Sequence, residues 1–228
     1  MSWIIEQSTI LANIFYYLIQ AVHWTILISV CAYLLAAVLG LVFGLARISH
    51  NKFLRTIAGI YINVFRGVPL LVLIFFFYFG LGKVVNLDRF TAGVIAVGTC
   101  YGAYMAEIFR SGIGAINYGQ HEAAYSLGMT KWQSMRYIIL PQSFRIVVPP
   151  AANEFIACLK DSSLVMITGL GELTRAGREY ASQYFLDFQT WFMVGLIYLV
   201  MTLTLTKVVK ILEKKFQIHG FGVKKDAH

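Results

Sequence analysis

From Trp24 to Ala46 the chain runs for 23 residues without a charge. A bilayer core about 30 Å thick takes roughly 20 helical residues to cross, so this run commits the chain to a membrane-spanning helix. The composition agrees. Of the 228 residues 58% are apolar and only 13% charged, about half the charge of an ordinary soluble domain. A chain of this length could not bury so much apolar sequence in water. A soluble enzyme, a disordered chain and a nucleic-acid binder are excluded together. The net charge of +8 reads instead as the Lys and Arg bias of cytoplasmic loops.

An all-α polytopic membrane protein with five spans is expected, at about residues 24–48, 56–80, 90–113, 141–164 and 188–212. The second span is interrupted by Arg66 and Pro69, and the fourth contains Pro149-Pro150. Five spans put the termini on opposite sides. With the N-terminus outside, thirteen of the nineteen Lys and Arg fall on inner segments, five on outer ones, and Arg66 inside the membrane. The positive-inside rule favours that orientation, with a cytoplasmic C-terminus. Residues 1–20 carry Ile10, Ile14 and Leu18 at helical spacing among polar residues. They suit either an outer interfacial helix or the first turns of a long tilted span. Residues 217–228 form a basic cytoplasmic tail. Glu6 in place of a positive n-region, and a first apolar run too long for a signal, argue against a secretory leader. Cys31, Cys100 and Cys158 lie scattered in apolar runs, which gives neither a disulfide framework nor a metal-ligand spacing. No metal and no cofactor are expected.

The long inner loop, 117–140, is the most informative stretch. Glu122 to Leu127 suits a helix, rich in Ala and Leu, which Gly128 then ends in a left-handed turn. Thr130 with Gln133 has capping-box spacing for a second helix, and Pro141 fits the first turn of the next span. Two short helices joined by a sharp turn are predicted, with Ala123 and Ala124 small enough for a partner to approach closely.

Glu122-Ala123-Ala124, three residues, Gly128, nine residues, then Ile138-x-Leu140-Pro141 resembles the EAA loop of ATP-binding-cassette import permeases of the type I fold. Arg66-Gly67-Val68-Pro69-Leu70-Leu71, Gly102 to Ile108, Asn153-Glu154 through Leu164, and Gly171 to Arg175 are similar to the polar amino acid branch. The resemblance covers Thr25 to Phe216. It implies a bacterial inner-membrane permease, two such chains (the same or homologous) forming the pathway. It further implies two cytoplasmic ATP-binding subunits that drive the pair, and an extracytoplasmic solute-binding protein that delivers an amino acid. Glu122, Ala123, Ala124, Leu127 and Gly128 would form the coupling helix, with Glu122 its charged contact and Gly128 the turn that sets its angle. The chain has no phosphate-loop motif, so ATP hydrolysis is expected in the partner and no catalytic residue in this chain. Leu70, Thr99 and Cys100 fall in the matching pathway segments. Three positions depart from the usual pattern: Val68 for Thr, Leu73 for Gln and Cys100 for Asn. Each makes the wall less polar, and Thr99 could partly substitute for the missing amide.

Glu154 and Asp161 are seven residues apart, one helical face about 10 Å long. Acidic groups cost roughly 2.5–3.5 kcal/mol near a span centre, so they face a cavity or a partner. Either they line the pathway and attract a substrate's ammonium, or they pair internally with Lys160 or Arg66. Pro149-Pro150 is expected to kink or break the fourth span, freeing N–H groups for a ligand carboxylate, with Asn153 adding a neutral hydrogen bond. Arg66 lies deep, about 16 Å past Arg55, and suits either an ion pair or a substrate carboxylate. Glu107 and Arg110 form an (i, i+3) pair. Ser162 to Gly171 is either a re-entrant, gate-like loop or the end of the fourth helix. A polar neutral or basic L-amino acid is the expected substrate. A stand-alone secondary transporter or channel is the alternative within transport. A membrane enzyme using Lys160 with Ser162 or Ser163 is the alternative outside it.

Overall fold

A computed structural model describes residues 2–216; the expected basic tail at 217–228 lies outside them. In chain order the helices are α1 (Ser2–Ile19), α2 (Val22–Ile48), α3 (Lys52–Gly67), α4 (Leu70–Phe75), α5 (Gly82–Val85), α6 (Arg89–Gly114), α7 (Tyr118–Ser126), α8 (Lys131–Ser134), α9 (Leu140–Asp161), α10 (Leu173–Tyr184) and α11 (Asp187–Phe216). Phe76–Leu81 and Met135–Ile139 are π-helical, and Ser162–Thr168 is a 3₁₀ turn. No strand occurs among the described residues.

Three runs are long and apolar enough to cross a bilayer: Gln7–Ile48, Arg89–Gly114 and Asp187–Leu212. A fourth crossing arises if α3 and the segment Leu70–Val85 count as one broken span. α9 has the length, about 33 Å for its 22 residues. It carries Arg145, Glu154, Lys160 and Asp161, however, and composition alone does not mark it as a span. α1 and α2 follow each other almost without interruption, since Ala21 between them is itself helical. Gln7–Ile48 is thus a 42-residue run, about 63 Å long.

Two apolar cores hold the bundle. Ile28, Ala32 and Ala36 of α2 meet Ala96, Val97 and Met105 of α6, with Ile74, Cys158 and Val165 closing the ends. Ile14 and Leu18 of α1 meet Leu173, Ala176 and Tyr180 of α10 and Val194 and Ile197 of α11.

The breaks expected at Pro69 and at Pro149-Pro150 have different outcomes. At Pro69 the second span does not merely kink. α3 and the segment Leu70–Val85 meet at 103°, and Val68 is extended (φ −97°, ψ 131°), as a residue before proline prefers. At Pro149-Pro150 the expected break is absent: α9 is helical from Leu140 to Asp161 with both prolines inside it. Their ring-fixed φ is itself helical, and the loss is confined to two consecutive backbone donors. The N–H groups of a restarted helix are therefore not available to a ligand. Met135–Ile139 widens into a π turn, and Pro141 falls in the first turn of α9, as expected, where its missing N–H costs little. There the Gln142 side chain donates to Ile138 O at 2.9 Å.

After α9, the 3₁₀ turn extends the helix by seven residues and ends at Gly169 (φ +88°). Glu172 then caps α10, accepting from Arg175 N–H at 2.7 Å, Thr174 N–H at 2.9 Å and the Tyr198 hydroxyl at 3.2 Å. It is fully buried, and burial pushes its carboxyl up to about 7 against opposing backbone hydrogen bonds. Between about pH 4.5 and 7 the folded state therefore holds a proton that the unfolded chain has released. Stability should fall as pH rises through that window and level off above it, by about 3 kcal/mol for this one group. Thermal unfolding in detergent, followed from about pH 5 to 8, should show this slope in the native chain. Glu172→Gln should flatten it, at a pH-independent cost of about 1 kcal/mol for the lost acceptor.

Candidate functional site: a charged cavity at the α3–α4 bend

The bend at Val68-Pro69 exposes the end of α3 to α6 and α9. A cavity of about 500 Å³ opens there, lined by Arg66, Gly67, Val68, Pro69, Leu70, Cys100, Tyr101, Tyr104, Glu154, Ala157 and Asp161. Its volume is that of a small-molecule site. Five of the residues singled out from the sequence meet in it: Arg66, Leu70, Cys100, Glu154 and Asp161. Glu154, Ala157 and Asp161 share the face that their spacing predicts.

The polar groups are held apart by chemistry. Tyr101 donates its hydroxyl to Asp161 Oδ2 at 2.8 Å, which orients that carboxylate. The Arg66 guanidinium lies 5.1 Å from the centroid of the Tyr104 ring, a cation–π contact, and it forms no ion pair with a described carboxylate. The Cys100 thiol points to Phe65 O at 3.6 Å. One cation and two carboxylates thus face a common space whose remaining wall is apolar or aromatic.

Two expected residues stand away from this lining. Thr99 turns its hydroxyl back onto its own helix, 2.7 Å from Ile95 O and 3.1 Å from Ala96 O. Asn153 is exposed and donates to Pro149 O at 3.2 Å. Tyr101 and Tyr104 are the lining residues that sequence reasoning passed over. Their places one and four positions after Cys100, on one face of α6, were the available signal.

The loop between α6 and α9 forms an elbow. Thr130 and Gln133 make the predicted capping box. α7 begins at Tyr118, earlier than expected, because Asn117 accepts from Gly119 N–H and caps it. It ends in a Schellman turn: Met129 N–H bonds Ala124 O at 3.1 Å and Gly128 N–H bonds Tyr125 O at 2.9 Å, with Gly128 at φ +75°. Glu122, Ala123 and Leu127 are exposed, whereas Ala124 turns inward and is 2% exposed. Gln142 ties the elbow to the following helix through Gln120 Oε1 at 3.2 Å. From Lys131 the chain is then helical without interruption to Asp161, a strut of about 45 Å between elbow and cavity.

Glu107 and Arg110 are paired as predicted, Arg110 Nε donating to Glu107 Oε2 at 2.9 Å. Of the two serines considered beside Lys160, Ser162 is committed elsewhere. Ser162 is buried, donates to Leu159 O at 2.8 Å and accepts from Ser29 at 3.0 Å.

The sequence of the family described as binding-protein-dependent transport system inner membrane component matches residues 36–218. The glutamine transport system permease protein GlnP of Escherichia coli is 37% identical over 204 residues, 88% of this chain and 93% of that one. The arginine transport system permease protein ArtQ of Bacillus subtilis is 34% identical, with 88% and 93% covered. A crystal structure of an amino acid ABC transporter with histidines is 38% identical, with a TM-score of 0.83 over 87% of this chain and 94% of that one. The MetNI methionine ABC transporter in an inward-facing conformation, 17% identical, shares the fold with a TM-score of 0.76 over 89% and 97%. The chain, with its apolar helices, α-only architecture and EAA elbow, belongs to the binding-protein-dependent inner-membrane transport components and is the permease subunit of an amino acid ABC transporter.

Proposed function

We propose that this chain forms half of the translocation pathway of an ATP-driven importer for neutral polar or basic L-amino acids, and that the cavity at the α3–α4 bend receives the substrate. The observation that carries the reading is the charge arrangement there: Arg66 opposite Glu154 and Asp161 in one cavity. An amino acid is a zwitterion. Its carboxylate is matched by a guanidinium that forms no ion pair among the described residues, and its ammonium by Glu154 and the Tyr101-oriented Asp161. Two carboxylates against one cation leave an excess negative charge, which repels an acidic side chain and accommodates a neutral or cationic one. The glutamine, arginine and histidine in the names of related proteins all fall in that class.

A second permease chain, two cytoplasmic ATP-binding subunits and a solute-binding protein on the outer side complete the machine. The elbow is the contact with the ATP-binding subunits. Leu127 is 79% exposed, beside exposed Tyr125 and Tyr118, an apolar surface that an aqueous loop keeps only where a partner covers it. Movement of the elbow reaches Glu154 and Asp161 along the same helical strut that carries them. In this orientation the N-terminus is outside and the elbow is cytoplasmic.

Glu154→Gln tests the cavity. In proteoliposomes holding the complete importer, half-saturation for L-arginine should rise about tenfold, the worth of one charge-assisted hydrogen bond, with a smaller change for L-glutamine. Unchanged uptake of both would remove Glu154 from the substrate's contacts.

A further inference from the structure

A second charged cavity lies directly inward of the first. It has a volume of about 540 Å³ and is lined by Arg47 at the end of α2, Arg55, Asn63 and Arg66 of α3, and Glu107 and Arg110 of α6. Arg66 belongs to both cavities. Arg55 and Arg66 stand 11 residues apart on α3, so the furrow runs about 16 Å along that helix, from the substrate cavity toward the elbow end of the bundle.

The four guanidiniums are not a belt of surface charges splayed toward lipid. They converge on one space. Arg47 is drawn over α3, where its Nη1 donates to Arg55 O at 3.2 Å. Gly59 makes room for it, since a Cβ there would sit 3.1 Å from that same nitrogen. Glu107, the one carboxylate in the furrow, is already engaged by Arg110. Arg47, Arg55 and Arg66 face the furrow without a direct ion pair to a described carboxylate, and the single Glu107 is shared electrostatically among several cations. Like charges held together around an open space lower their repulsion when an anion enters it, and planar guanidiniums suit a carboxylate in particular.

We propose that this furrow is an inner site for the α-carboxylate of the transported amino acid, occupied after the substrate has left the upper cavity, with Arg66 as the shared residue that passes the carboxylate inward. The proposal rests on the functional reading above and deepens it: the pathway has two carboxylate stations in series. The upper cavity also holds the ammonium, through Glu154 and Asp161. The lower one has only the engaged Glu107, so it holds the carboxylate alone and binds the amino acid more loosely. Accumulated amino acid on the cytoplasmic side occupies the lower station from within and slows further import.

The experiment uses the complete importer in proteoliposomes. ATP and graded amounts of unlabelled L-arginine or L-glutamine (whichever the complex takes up) are enclosed in the lumen, with the binding protein and labelled amino acid outside. The enclosed amino acid should slow initial uptake, and the corresponding decarboxylated amine should not. Arg55→Gln and Arg47→Gln should each raise the half-inhibiting lumenal concentration about tenfold, the effect of one lost charge-assisted contact, with half-saturation from outside changed less than about twofold. Arg55→Lys, which keeps the charge and loses the fork, should fall between, and covers the case in which a glutamine variant fails to assemble. Inhibition that is absent in the native importer, equal in all variants, or shared by the amine overturns the proposal. So does inhibition by enclosed inorganic phosphate alone, or one that appears only with phosphatidylglycerol in the bilayer, since the furrow's anion is then a phosphate. Native vesicles that take up neither amino acid sink the functional reading itself.

Discussion

Gly128→Pro is expected to reduce ATP-driven uptake to background, at least a hundredfold, while the chain still inserts and reaches normal abundance. Gly128 sits at φ +75° with its N–H bonded to Tyr125 O at 2.9 Å. Proline fixes φ near −65° and has no N–H, so neither the left-handed turn nor that bond survives. The loss is local. A Cβ at Gly128 would meet nothing within 4 Å, so the position is exposed and the bundle beneath is not disturbed. Gly128→Ala separates the two effects, since it keeps the N–H and adds only the left-handed strain, about 1–2 kcal/mol; it should retain partial uptake. Glu122→Lys leaves the turn intact and reverses the charge of an exposed contact residue, and should also lose uptake. Measuring uptake, ATP hydrolysis and retention of the ATP-binding subunits on the same preparations decides the matter. Normal uptake in both Gly128→Pro and Glu122→Lys would show that force enters the permease elsewhere.

The elbow was legible in the sequence because its determinants are local. A capping box needs two side chains three residues apart, and a Schellman turn needs one glycine; both appeared where Thr130, Gln133 and Gly128 placed them. The pairing of Glu107 with Arg110 and the shared face of Glu154 and Asp161 follow from helical periodicity in the same way. What could not be read depends on how the chain responds at a distance. Proline reads alike at 69 and at 149–150, yet only Pro69 redirects the helix. Val68 is extended there, with Ile74 beyond it buried in the core, whereas α9 continues as one helix with Val147 and Cys158 buried on either side of its prolines. Ala123 and Ala124 read alike as small residues that let a partner approach, but the Ala124 carbonyl accepts in the Schellman turn and its methyl is buried, whereas Ala123 is exposed. Thr99 and Asn153 were chosen for hydrogen-bonding capacity, and both spend at least part of it on carbonyls of their own helix. Such back-bonding competes with ligand binding whenever Ser, Thr or Asn sits inside a helix.

The largest loss of stability is expected at glycines where helices touch, and Gly98→Leu should abolish folding of the chain. α2 and α6 cross closely because α2 offers Gly40 and Gly44 and α6 offers Gly93, Gly98 and Gly102. A Cβ at Gly98 would lie 2.7 Å from Leu35 Cδ2 and 3.0 Å from Ala32 O, and one at Gly44 would lie 2.9 Å from Ala106 O. A backbone carbonyl cannot rotate out of the way, so the helices must part. In lipid there is little hydrophobic force to hold separated helices together, and close contact of small residues is what associates them. Gly44→Ala should therefore cost about 1–3 kcal/mol, the usual penalty for overpacking. Gly98→Leu, with three more carbons aimed at Leu35 and its Cβ already against the immovable Ala32 carbonyl, should cost more than the roughly 5–15 kcal/mol that a typical fold has available. Gly195 of α11 is the counterpart. Nothing lies within 4 Å of its missing Cβ, so Gly195→Ala should raise stability by about 0.4–1 kcal/mol through helix propensity alone. Thermal unfolding of the purified chains in detergent, with yield of folded protein as the readout for Gly98→Leu, gives the order Gly195→Ala, native, Gly44→Ala, Gly98→Leu. If Gly44→Ala were as stable as native, the α2–α6 crossing would be looser than these contacts require, and the cavity wall that α6 supplies through Cys100, Tyr101 and Tyr104 would lose its fixed reference.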